Sequence, residues 1–229
     1  MIFTILIPVF NEEKTIKEIL DKISKIKIEN VNFEIIVIDD GSNDKTKNIL
    51  ENNASLYNKL ISYERNQGKG HAIKKGLNAA TGKYVIIQDA DLEYEPSDIN
   101  KFISLIKKFD SDLIIGSRFN YSEYSRSHNI LNKFGNIIIT LIFNILNNTT
   151  FTDIYSCYIC FKKELLDTNN LKSVGFDQQA EILSQVVKRG DKFFEVPINY
   201  NGRTAKEGKK IKFYHIFNVI FRIIIGRIK

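Results

Sequence analysis

The sequence predicts an α/β protein, with a mostly parallel β-sheet and helices on both faces. Continuous apolar runs such as FEIIVID at 33–39 have the composition and length of strands that are buried on both sides. Segments with apolar residues at helical spacing, such as 16–26, alternate with these runs, which is typical of parallel sheets. The chain has 229 residues, 43% of them hydrophobic, which is enough for one sizeable domain with its own core.

The first hundred residues alternate most regularly. Apolar runs predict strands at 3–9, 33–39, 59–64 and 83–89. Helical spacing predicts helices between them, at 12–26, 44–50 and 68–82. Asn11 is the expected cap of the first helix, because Glu12 and Glu13 would then lie in its first turn, where carboxylates suit the helix dipole.

Beyond residue 96 the alternation is less regular. Helices are predicted at 97–108, 130–146 and 178–189, and strands at 112–117, 154–161 and 192–200. A polar loop is expected from 118 to about 128. We divide the chain into a main domain at 1–210, with halves 1–96 and 97–210, and a basic amphipathic helix at 211–229.

The positive charge of the chain is concentrated near its end. The net charge is +6, and residues 206–229 carry seven Lys or Arg against one acid, Glu207. These charges are interleaved with Ile and Phe, which indicates a membrane-surface helix rather than a nucleic-acid binder. The apolar stretches 134–146 and 216–225 are expected to be too short to cross a bilayer. The first residues lack the features of a signal peptide.

Cys157 and Cys160 are the two cysteines of the chain. A CxxC pair can be a redox pair or half of a zinc site, but no second pair follows. We therefore expect two small apolar residues on opposite faces of the strand at 154–161, in a protein from a reducing compartment.

Unusual polar residues follow four of the predicted strands. In an open parallel sheet, ligands bind at the edge where the carboxyl ends of the strands meet. The segments expected at this edge are 8–12 (PVFNE), 39–42 (DDGS), 65–70 (RNQGKG) and 89–93 (DADLE). Clustered carboxylates repel unless something positive lies among them, so these segments predict a site for a cation or a ligand.

Asp89 and Asp91 lie two residues apart, on the same side of an extended segment. Carboxylates of this kind suit Mg²⁺ or Mn²⁺, which take further oxygen ligands from water and from a substrate phosphate. The alternative is a capped strand end with solvated acids. The position directly after a buried strand favours the metal site.

The second and third segments each have two interpretations. Asp39 and Asp40 either belong to an ordinary strand-to-helix turn or bind the base or ribose of a nucleotide. Gly68 either only starts a helix, or it brings Lys69 and neighbouring backbone N–H groups to a diphosphate.

Four motifs in order carry a family resemblance: IPVFNEEKTI, IVIDDGSNDKT, NQGKGHAIKKGLNAATG and QDADLEYEP. Together they resemble family 2 glycosyltransferases of the GT-A fold, and within that family the dolichol-phosphate mannosyltransferases and bacterial polyprenyl-phosphate glucosyltransferases. The resemblance is looser through IIGSRF, GF…AEI, EVPINYNGR and EGKKI. It implies an inverting transfer from a nucleotide-diphosphate sugar that depends on Mg²⁺ or Mn²⁺.

The resemblance also implies roles for individual residues. Together with the strand-end reasoning, it gives the donor-binding candidates Pro8, Phe10, Glu12, Asp39, Asp40, Gly68, Lys69, Asp89, Ala90 and Asp91. The implied metal ligands are Asp89, Asp91 and Glu93. Arg118, Arg203 and Lys209 are expected to hold phosphate groups, a role that suits the bidentate fork of arginine.

The chain departs from the family pattern at the start of the middle helix. Some dolichol-type relatives hold the lipid phosphate there with an Arg and a Ser, and the matching residues here are His128 and Asn132. Arg126 and Lys133 are the nearby basic residues that can substitute.

Two kinds of acceptor remain open. A lipid phosphate is already an anion, so it needs only positioning by Arg118 and its neighbours. A sugar hydroxyl needs a base, for which Asp177 and Glu181 are candidates, although both also suit the dipole of a helix N-terminus. The expected catalytic residues are Asp89, Asp91, Arg118 and Asp177.

The leading hypothesis is a polyprenyl-phosphate glycosyltransferase, peripheral at the cytoplasmic face of the cell membrane. Its expected partners are the nucleotide sugar, the lipid phosphate, the membrane surface and a separate membrane-anchoring subunit, but no nucleic acid. The first alternative transfers sugar to a saccharide or lipid hydroxyl in envelope-glycan synthesis. The second is a nucleotide-binding membrane module without turnover.

Overall fold

The computed structural model describes residues 1–120, 123–126, 130–203 and 215–228. Its strands are β1 (Ile2–Val9), β2 (Asn32–Asp39), β3 (Lys59–Ser62), β4 (Tyr84–Ile87), β5 (Leu113–Ser117), β6 (Ile159–Lys162) and β7 (Phe193–Pro197). Its helices are α1 (Ile16–Ser24), α2 (Thr46–Asn52), α3 (Lys69–Ala79), α4 (Ile99–Phe109), α5 (Ile130–Asn147), α6 (Gln178–Arg189) and α7 (His215–Ile228).

The strands form one seven-stranded sheet in the order β3-β2-β1-β4-β6-β5-β7. β6 runs antiparallel to β4 and β5, and the other neighbouring pairs are parallel. The predicted fold class, a mostly parallel sheet flanked by helices, is therefore confirmed. Because β3, β2, β1 and β4 are adjacent and parallel, their carboxyl ends meet at one edge.

Two apolar clusters lie on opposite faces of the sheet. Ile5 and Ile7 of β1 pack on one face with α1 and α4, whereas Leu6 packs on the other face with α3, α5, α6 and α7. This alternation follows from the two-residue period of a strand. Both faces of the sheet are thus buried, as the continuous apolar runs predicted.

The first helix begins at Ile16 rather than directly after Asn11. Asn11 has a φ of 54°, and its side-chain oxygen accepts a hydrogen bond from the Asn43 N–H at 2.9 Å. The predicted helix cap is therefore wrong, because Asn11 instead joins the loops that follow β1 and β2.

β6 is shorter than the strand predicted at 154–161. The Gln179 side chain donates to the carbonyl oxygens of Ile154 and Ser156, so these groups do not pair with a neighbouring strand. Cys157 precedes β6, and both Cys157 and Cys160 pack against the cluster on the α1 face. Both are free thiols, but the prediction that they occupy opposite faces of one strand is wrong.

The two most apolar helices, α5 and α7, pack against each other and against α6. α7 buries Val219 and Ile223 in the core and exposes Phe217, Phe221 and Ile224. By length and composition alone, α5 passes as a membrane-crossing helix, the one helix of the described ranges to do so. The stretch 134–146 was expected to be too short to cross a bilayer, and by helix length and composition this expectation does not hold for α5. The domain division at residues 96 and 210 stays a prediction.

Candidate active site

A cavity of about 370 Å³ lies at the carboxyl edge of the sheet. All four predicted strand-end segments contribute to its lining, so the predicted convergence is confirmed. From those segments the cavity is lined by Pro8, Val9, Phe10, Glu12, Asp40, Asn66, Gly68, Lys69, Asp89, Ala90, Asp91 and Glu93. Ala90 is nearly completely buried and packs in the core between the two acids that flank it.

Four carboxylates, those of Glu12, Asp89, Asp91 and Glu93, form what we call the acidic edge. The guanidinium of Arg203 pairs with three of them, at 3.3 Å to Glu12, 2.6 Å to Asp91 and 3.2 Å to Glu93. Lys69 Nζ pairs with the fourth, Asp89, at 2.5 Å. The positive groups among the clustered acids are therefore two side chains of the protein.

Asp91 has the most perturbed carboxylate of the acidic edge. Burial raises its pKa to about 7, and the charges of Asp89 and Glu93 add to this, against the opposing effects of Arg203 and Lys69. The pKa of Lys69 is also raised, because its pairing with Asp89 outweighs the effect of its own burial. The four carboxylates outnumber the two cationic side chains that pair with them, which would favour a further cation.

Of the three predicted metal ligands, Glu93 accepts the most hydrogen bonds, so Asp89 and Asp91 are the better candidates. Glu93 already accepts hydrogen bonds from the Tyr200 hydroxyl at 2.9 Å and from the Arg203 backbone N–H at 3.0 Å. Among the residues described, no three acidic, His or Cys side chains form a group that would hold a metal by themselves. Two carboxylates are nevertheless sufficient for Mg²⁺ or Mn²⁺ when substrate phosphate and water complete the coordination.

The two adjacent aspartates after β2 have different surroundings. Asp39 accepts hydrogen bonds from the Ser42 N–H at 3.1 Å and the Ser62 hydroxyl at 3.2 Å, and it does not line the cavity. Asp40 lines the cavity and accepts from the N–H groups of Gln67 and Gly68, at 3.0 and 2.8 Å. Burial raises the pKa of Asp40, although these two hydrogen bonds oppose the shift. Of the pair, Asp40 is placed to meet a ligand, and Asp39 holds the turn.

Gly68 allows a loop to pass against the start of α3. Its φ is 101°, and a Cβ at this position would lie 2.4 Å from the Val174 carbonyl oxygen. The same oxygen accepts a hydrogen bond from the Gly70 N–H at 2.8 Å. The Gly68 N–H is used by Asp40, so its predicted role as a donor to a diphosphate has no support from this geometry.

Arg118 lines the cavity from the end of β5 and forms a buried bidentate pair with Asp153. The two N–H···O distances are 2.7 and 2.8 Å, and the Arg118 backbone N–H also donates to Asp153, at 3.0 Å. Asn136 of α5 donates to the same carboxylate at 2.8 Å. The guanidinium also lies over the ring of Tyr200, 5.2 Å from its centroid. These contacts hold Arg118 in one orientation.

The predicted acceptor residues are only partly brought to the cavity. Asn132 and Lys133 line it, and Lys133 Nζ lies 5.6 Å from the centroid of the Phe119 ring. Arg126 is outside the lining and donates to the Gly202 carbonyl oxygen at 3.1 Å. His128 and Lys209 lie outside the described residues.

The two candidate bases are at the start of α6, directly after Phe176, which lines the cavity. Asp177 pairs with Arg222 of α7 at 3.2 Å. Glu181 accepts from the backbone N–H groups of Lys172 and Ser173, at 3.0 and 2.9 Å. Neither carboxylate lines the cavity. The arrangement fits the alternative interpretation, in which both acids complement a helix N-terminus.

Several cavity residues were not predicted from the sequence. Among them are the aromatic residues Tyr94, Phe119, Tyr155, Phe176 and Tyr200. Tyr94 lies within the motif QDADLEYEP, and Phe119, Phe176 and Tyr200 lie within stretches that carry the looser resemblance, so a signal for these four existed. Tyr155 lies in a segment that the sequence predicted as strand, and nothing in the local pattern marks it.

The matching family model is described as "Glycosyl transferase family 2", and it covers residues 4–168. The chain is 31% identical over 207 residues to an uncharacterized protein of Methanocaldococcus jannaschii, covering 86% of this chain and 87% of that one. It is 29% identical over 220 residues to a dolichol-phosphate mannosyltransferase of Pyrococcus furiosus, covering 90% of this chain and 58% of that enzyme.

Solved structures share the fold at lower identity. Glucosyl-3-phosphoglycerate synthase from Mycobacterium tuberculosis, in complex with Mn²⁺, UDP-glucose and phosphoglyceric acid, matches with a TM-score of 0.72 and 21% identity. That match covers 98% of this chain and 79% of the synthase. TarS of S. aureus, residues 1–349, matches with a TM-score of 0.64 and 19% identity over 99% of this chain and 71% of that one.

Proposed function

The chain belongs to glycosyl transferase family 2, and we propose that it moves a sugar from a nucleotide diphosphate to a polyprenyl phosphate at a membrane surface. One observation carries this proposal: a single cavity joins the acidic edge to the apolar helices α5 and α7. The residues that line its helical end are Asn132, Lys133, Asn136 and Ile139 of α5 and Ile216 of α7. A donor at the acidic edge and a lipid head between the helices would therefore share one chamber.

The donor half of the proposal rests on the acidic edge. Asp89 and Asp91 would hold Mg²⁺ or Mn²⁺, which when bound neutralises the charge of the leaving diphosphate. Lys69 fixes Asp89 by its 2.5 Å contact. Arg203 now pairs with Glu12, Asp91 and Glu93, at the position where a diphosphate would bind. Its guanidinium could then form bidentate hydrogen bonds with the phosphate oxygens instead. The donor is of the GDP-mannose or UDP-glucose type.

The acceptor half rests on the charges at the helical end. Among the described residues that line the cavity, the carboxylates are those of Glu12, Asp40, Asp89, Asp91 and Glu93, all at the sheet edge. The helical end brings Lys133, and Arg118 lies between the two ends. This charge distribution favours an anionic acceptor that needs positioning rather than a base. The acceptor phosphate would attack from the face opposite the diphosphate, with inversion.

The outer faces of α5 and α7 support a membrane surface as the place of reaction. α5 buries Gly135, Asn136, Ile139, Thr140 and Phe143 and leaves its other side apolar and open. The large exposed side chains of the two helices are Ile130, Leu131, Phe134, Ile137, Ile138, Leu141, Ile145, Phe217, Phe221 and Ile224. Helices with one face on the protein and one apolar face outward lie along a bilayer rather than across it.

Lys133 and Arg227 add positive charge near this surface, which suits anionic lipids. The matched dolichol-phosphate mannosyltransferase supports the same acceptor class. We propose that the protein lies peripherally at the cytoplasmic face of the cell membrane. A separate anchoring subunit stays a prediction.

A label-transfer assay tests the proposal. The protein is incubated with Mn²⁺, polyprenyl phosphate and, one at a time, radiolabelled UDP-glucose, GDP-mannose and related donors, and the lipid is extracted into organic solvent. We expect label in the organic phase with one donor, and none when the free polyprenol replaces the phosphate. Transfer to polyprenol or to a soluble saccharide, but not to the lipid phosphate, would contradict the acceptor assignment.

A further inference from the structure

A much smaller cavity, which we call the annex, opens beside the main one. It has a volume of about 10 Å³ and is lined by residues of α3, β4 and α6 and of the segments that precede β6 and α6. Lys69, Tyr155, Cys157, Gly175 and Phe176 line both cavities, so the annex is a side pocket next to Lys69 and its partner Asp89. Its volume corresponds to about one water molecule or one hydroxyl group.

Two polar groups at the annex have no hydrogen-bond partner among the described residues. They are the hydroxyl of Tyr155 and the side-chain nitrogen of Gln178, both buried. The neighbouring Gln179 differs, because its amide nitrogen donates to the Ile154 carbonyl oxygen at 2.8 Å. Buried polar groups without partners cost folding free energy, and in native proteins they are few. Seven buried side-chain atoms of the described residues lack a partner, and two of them belong to residues that line the annex. One oxygen atom in this pocket, from a water or a ligand, would complete the hydrogen bonding of both.

The groups around the annex favour a ligand that places an uncharged oxygen atom there. Lys69 is committed to Asp89, and burial raises the pKa of the Tyr155 hydroxyl, so it stays a neutral donor at physiological pH. A phosphate is too large for this volume and is better matched by cationic groups. A sugar hydroxyl has the right size and can both donate and accept hydrogen bonds. With the donor diphosphate bound near Asp89, the attached sugar would lie next to the annex.

We propose that the annex receives one hydroxyl group of the donor sugar, and that Tyr155 and Gln178 determine which sugar is accepted. This inference rests on the proposed transferase function and deepens it. The site would bind the intact nucleotide sugar more tightly than the nucleotide diphosphate alone. A sugar that lacks this hydroxyl, or directs it elsewhere, would leave both buried groups unpaired, which is how such sites reject analogues.

Equilibrium binding tests this without an acceptor. Dissociation constants are measured with Mn²⁺ for UDP, GDP, UDP-glucose and GDP-mannose, and for the monodeoxy analogues of whichever donor binds. Tyr155→Phe should weaken donor binding about three- to tenfold, the effect of one lost neutral hydrogen bond. Binding of the nucleotide diphosphate should not change. One monodeoxy analogue should bind wild type and Tyr155→Phe equally, and Gln178→Met should show the same pattern.

Thermal unfolding provides the matched control. Because the Tyr155 hydroxyl is unpaired in the free protein, Tyr155→Phe should melt at the wild-type temperature or above. Tyr57 lines neither cavity, and its hydroxyl donates to the Leu50 carbonyl oxygen at 3.0 Å. Tyr57→Phe should therefore lower the melting temperature and leave donor binding unchanged.

Four outcomes would overturn the inference. Equal losses for donor and diphosphate would mean that Tyr155 has a general structural role. Unchanged donor binding in Tyr155→Phe and Gln178→Met, or equal losses for all monodeoxy analogues, would mean that the annex holds only water. Wild-type protein that binds neither nucleotide would overturn the proposed function as well, and this failure is visible before any substitution is made.

Discussion

At the acidic edge, the guanidinium of a single arginine bridges three carboxylates. Arg203 neutralises Glu12, Asp91 and Glu93 together, with contacts between 2.6 and 3.3 Å. A resting site with its own counter-charge avoids the cost of clustered buried carboxylates. Arg203 was predicted to bind phosphate, and its present partners are compatible with that role only if it exchanges them when a donor arrives.

Asp91→Asn and Glu93→Gln test whether Asp91 is a metal ligand and Glu93 only its neighbour. Loss of a ligand should weaken Mn²⁺ binding by more than the roughly 10- to 100-fold typical of an outer-shell partner. We therefore expect Asp91→Asn to exceed this range and to abolish turnover, and Glu93→Gln to remain within or below it. Mn²⁺ electron paramagnetic resonance measures the binding, and turnover with and without EDTA measures the requirement. Full activity in EDTA would refute metal dependence, and equal effects of the two variants would restore Glu93 as a ligand.

Arg118→Lys tests whether the guanidinium fork matters. Lys keeps the charge but cannot form both bonds to buried Asp153, at 2.7 and 2.8 Å. The free energy of unfolding should fall by about 2 kcal/mol, the value of one lost hydrogen bond to a charged group. Turnover should fall as well, because the cation would leave its fixed place in the cavity. Denaturant unfolding and steady-state kinetics measure the two effects, and wild-type values in both would show that charge alone suffices.

At this scale the sequence predicted charged residues better than aromatic ones. Asp89, Asp91 and Asp40 stood out because acids directly after buried strands need an explanation. Asp153 and Tyr155 did not stand out. The role of Asp153 depends on Arg118, which is distant in the sequence, and that of Tyr155 depends on the lack of a hydrogen-bond partner. Hydrogen bonding of this kind is visible only once the fold brings the groups together.

Asp112 joins three strands at the opposite end of the sheet from the cavity. Its carboxylate accepts from the N–H groups of Asp191 and Lys192, at 2.9 and 3.1 Å, and pairs with Lys162 at 2.7 Å. Burial alone would raise its pKa, but these donors hold the pKa at about 2. The ends of β5, β6 and β7 thus share one anchor.

The depressed pKa makes this anchor sensitive to acid. Its stabilisation is complete above the unfolded-state pKa of about 4 and is lost as the pH falls towards 2. Asp112→Asn should therefore cost about 2 kcal/mol of unfolding free energy at neutral pH. The difference from wild type should shrink between pH 4 and 2. Urea unfolding across this range measures it, and a constant difference would show that the charge of Asp112 contributes nothing.

α7 has an inner and an outer face that should respond differently to substitution. Ile223 is completely buried, whereas Phe221 is 62% exposed. Ile223→Ala should reduce the unfolding free energy by about 3 kcal/mol, as for other large core truncations. Phe221→Gln should leave it within about 0.5 kcal/mol. Thermal or urea unfolding measures both changes. Equal effects would mean that the two faces of α7 do not differ in their contribution to stability.

The sequence predicted the existence and type of the helices and strands because their apolar periods are strong. The direction of β6 was not predictable, since a four-residue apolar strand has the same pattern whether it runs parallel or antiparallel. β6 is short because the side chain of Gln179, in α6, donates hydrogen bonds to the carbonyl oxygens of Ile154 and Ser156, just before the strand. Competition of this kind, between a side chain and a neighbouring strand for the same carbonyl groups, does not change the periodicity of apolar residues in the sequence.

For the whole molecule, the proposed membrane surface predicts a defined orientation. Helices α5 and α7 lie on one face of the sheet and α4 on the other. Phe134→Gln combined with Phe221→Gln should reduce sedimentation with anionic liposomes severalfold, because both side chains are large and exposed. Phe109→Gln, on α4, removes an exposed aromatic residue from the opposite face and should leave sedimentation unchanged. Equal effects of the two changes would refute a directed surface.

The open apolar face of α5 has a further consequence for the protein in plain buffer. Contiguous exposed apolar surface drives self-association when no other apolar phase is present. We expect the purified chain to scatter light increasingly with concentration, and a mild detergent above its critical micelle concentration to return it to monodisperse particles. Light scattering would then report on the same side chains that we propose to meet lipid. The double Gln variant should be the less aggregated sample for crystallisation or NMR.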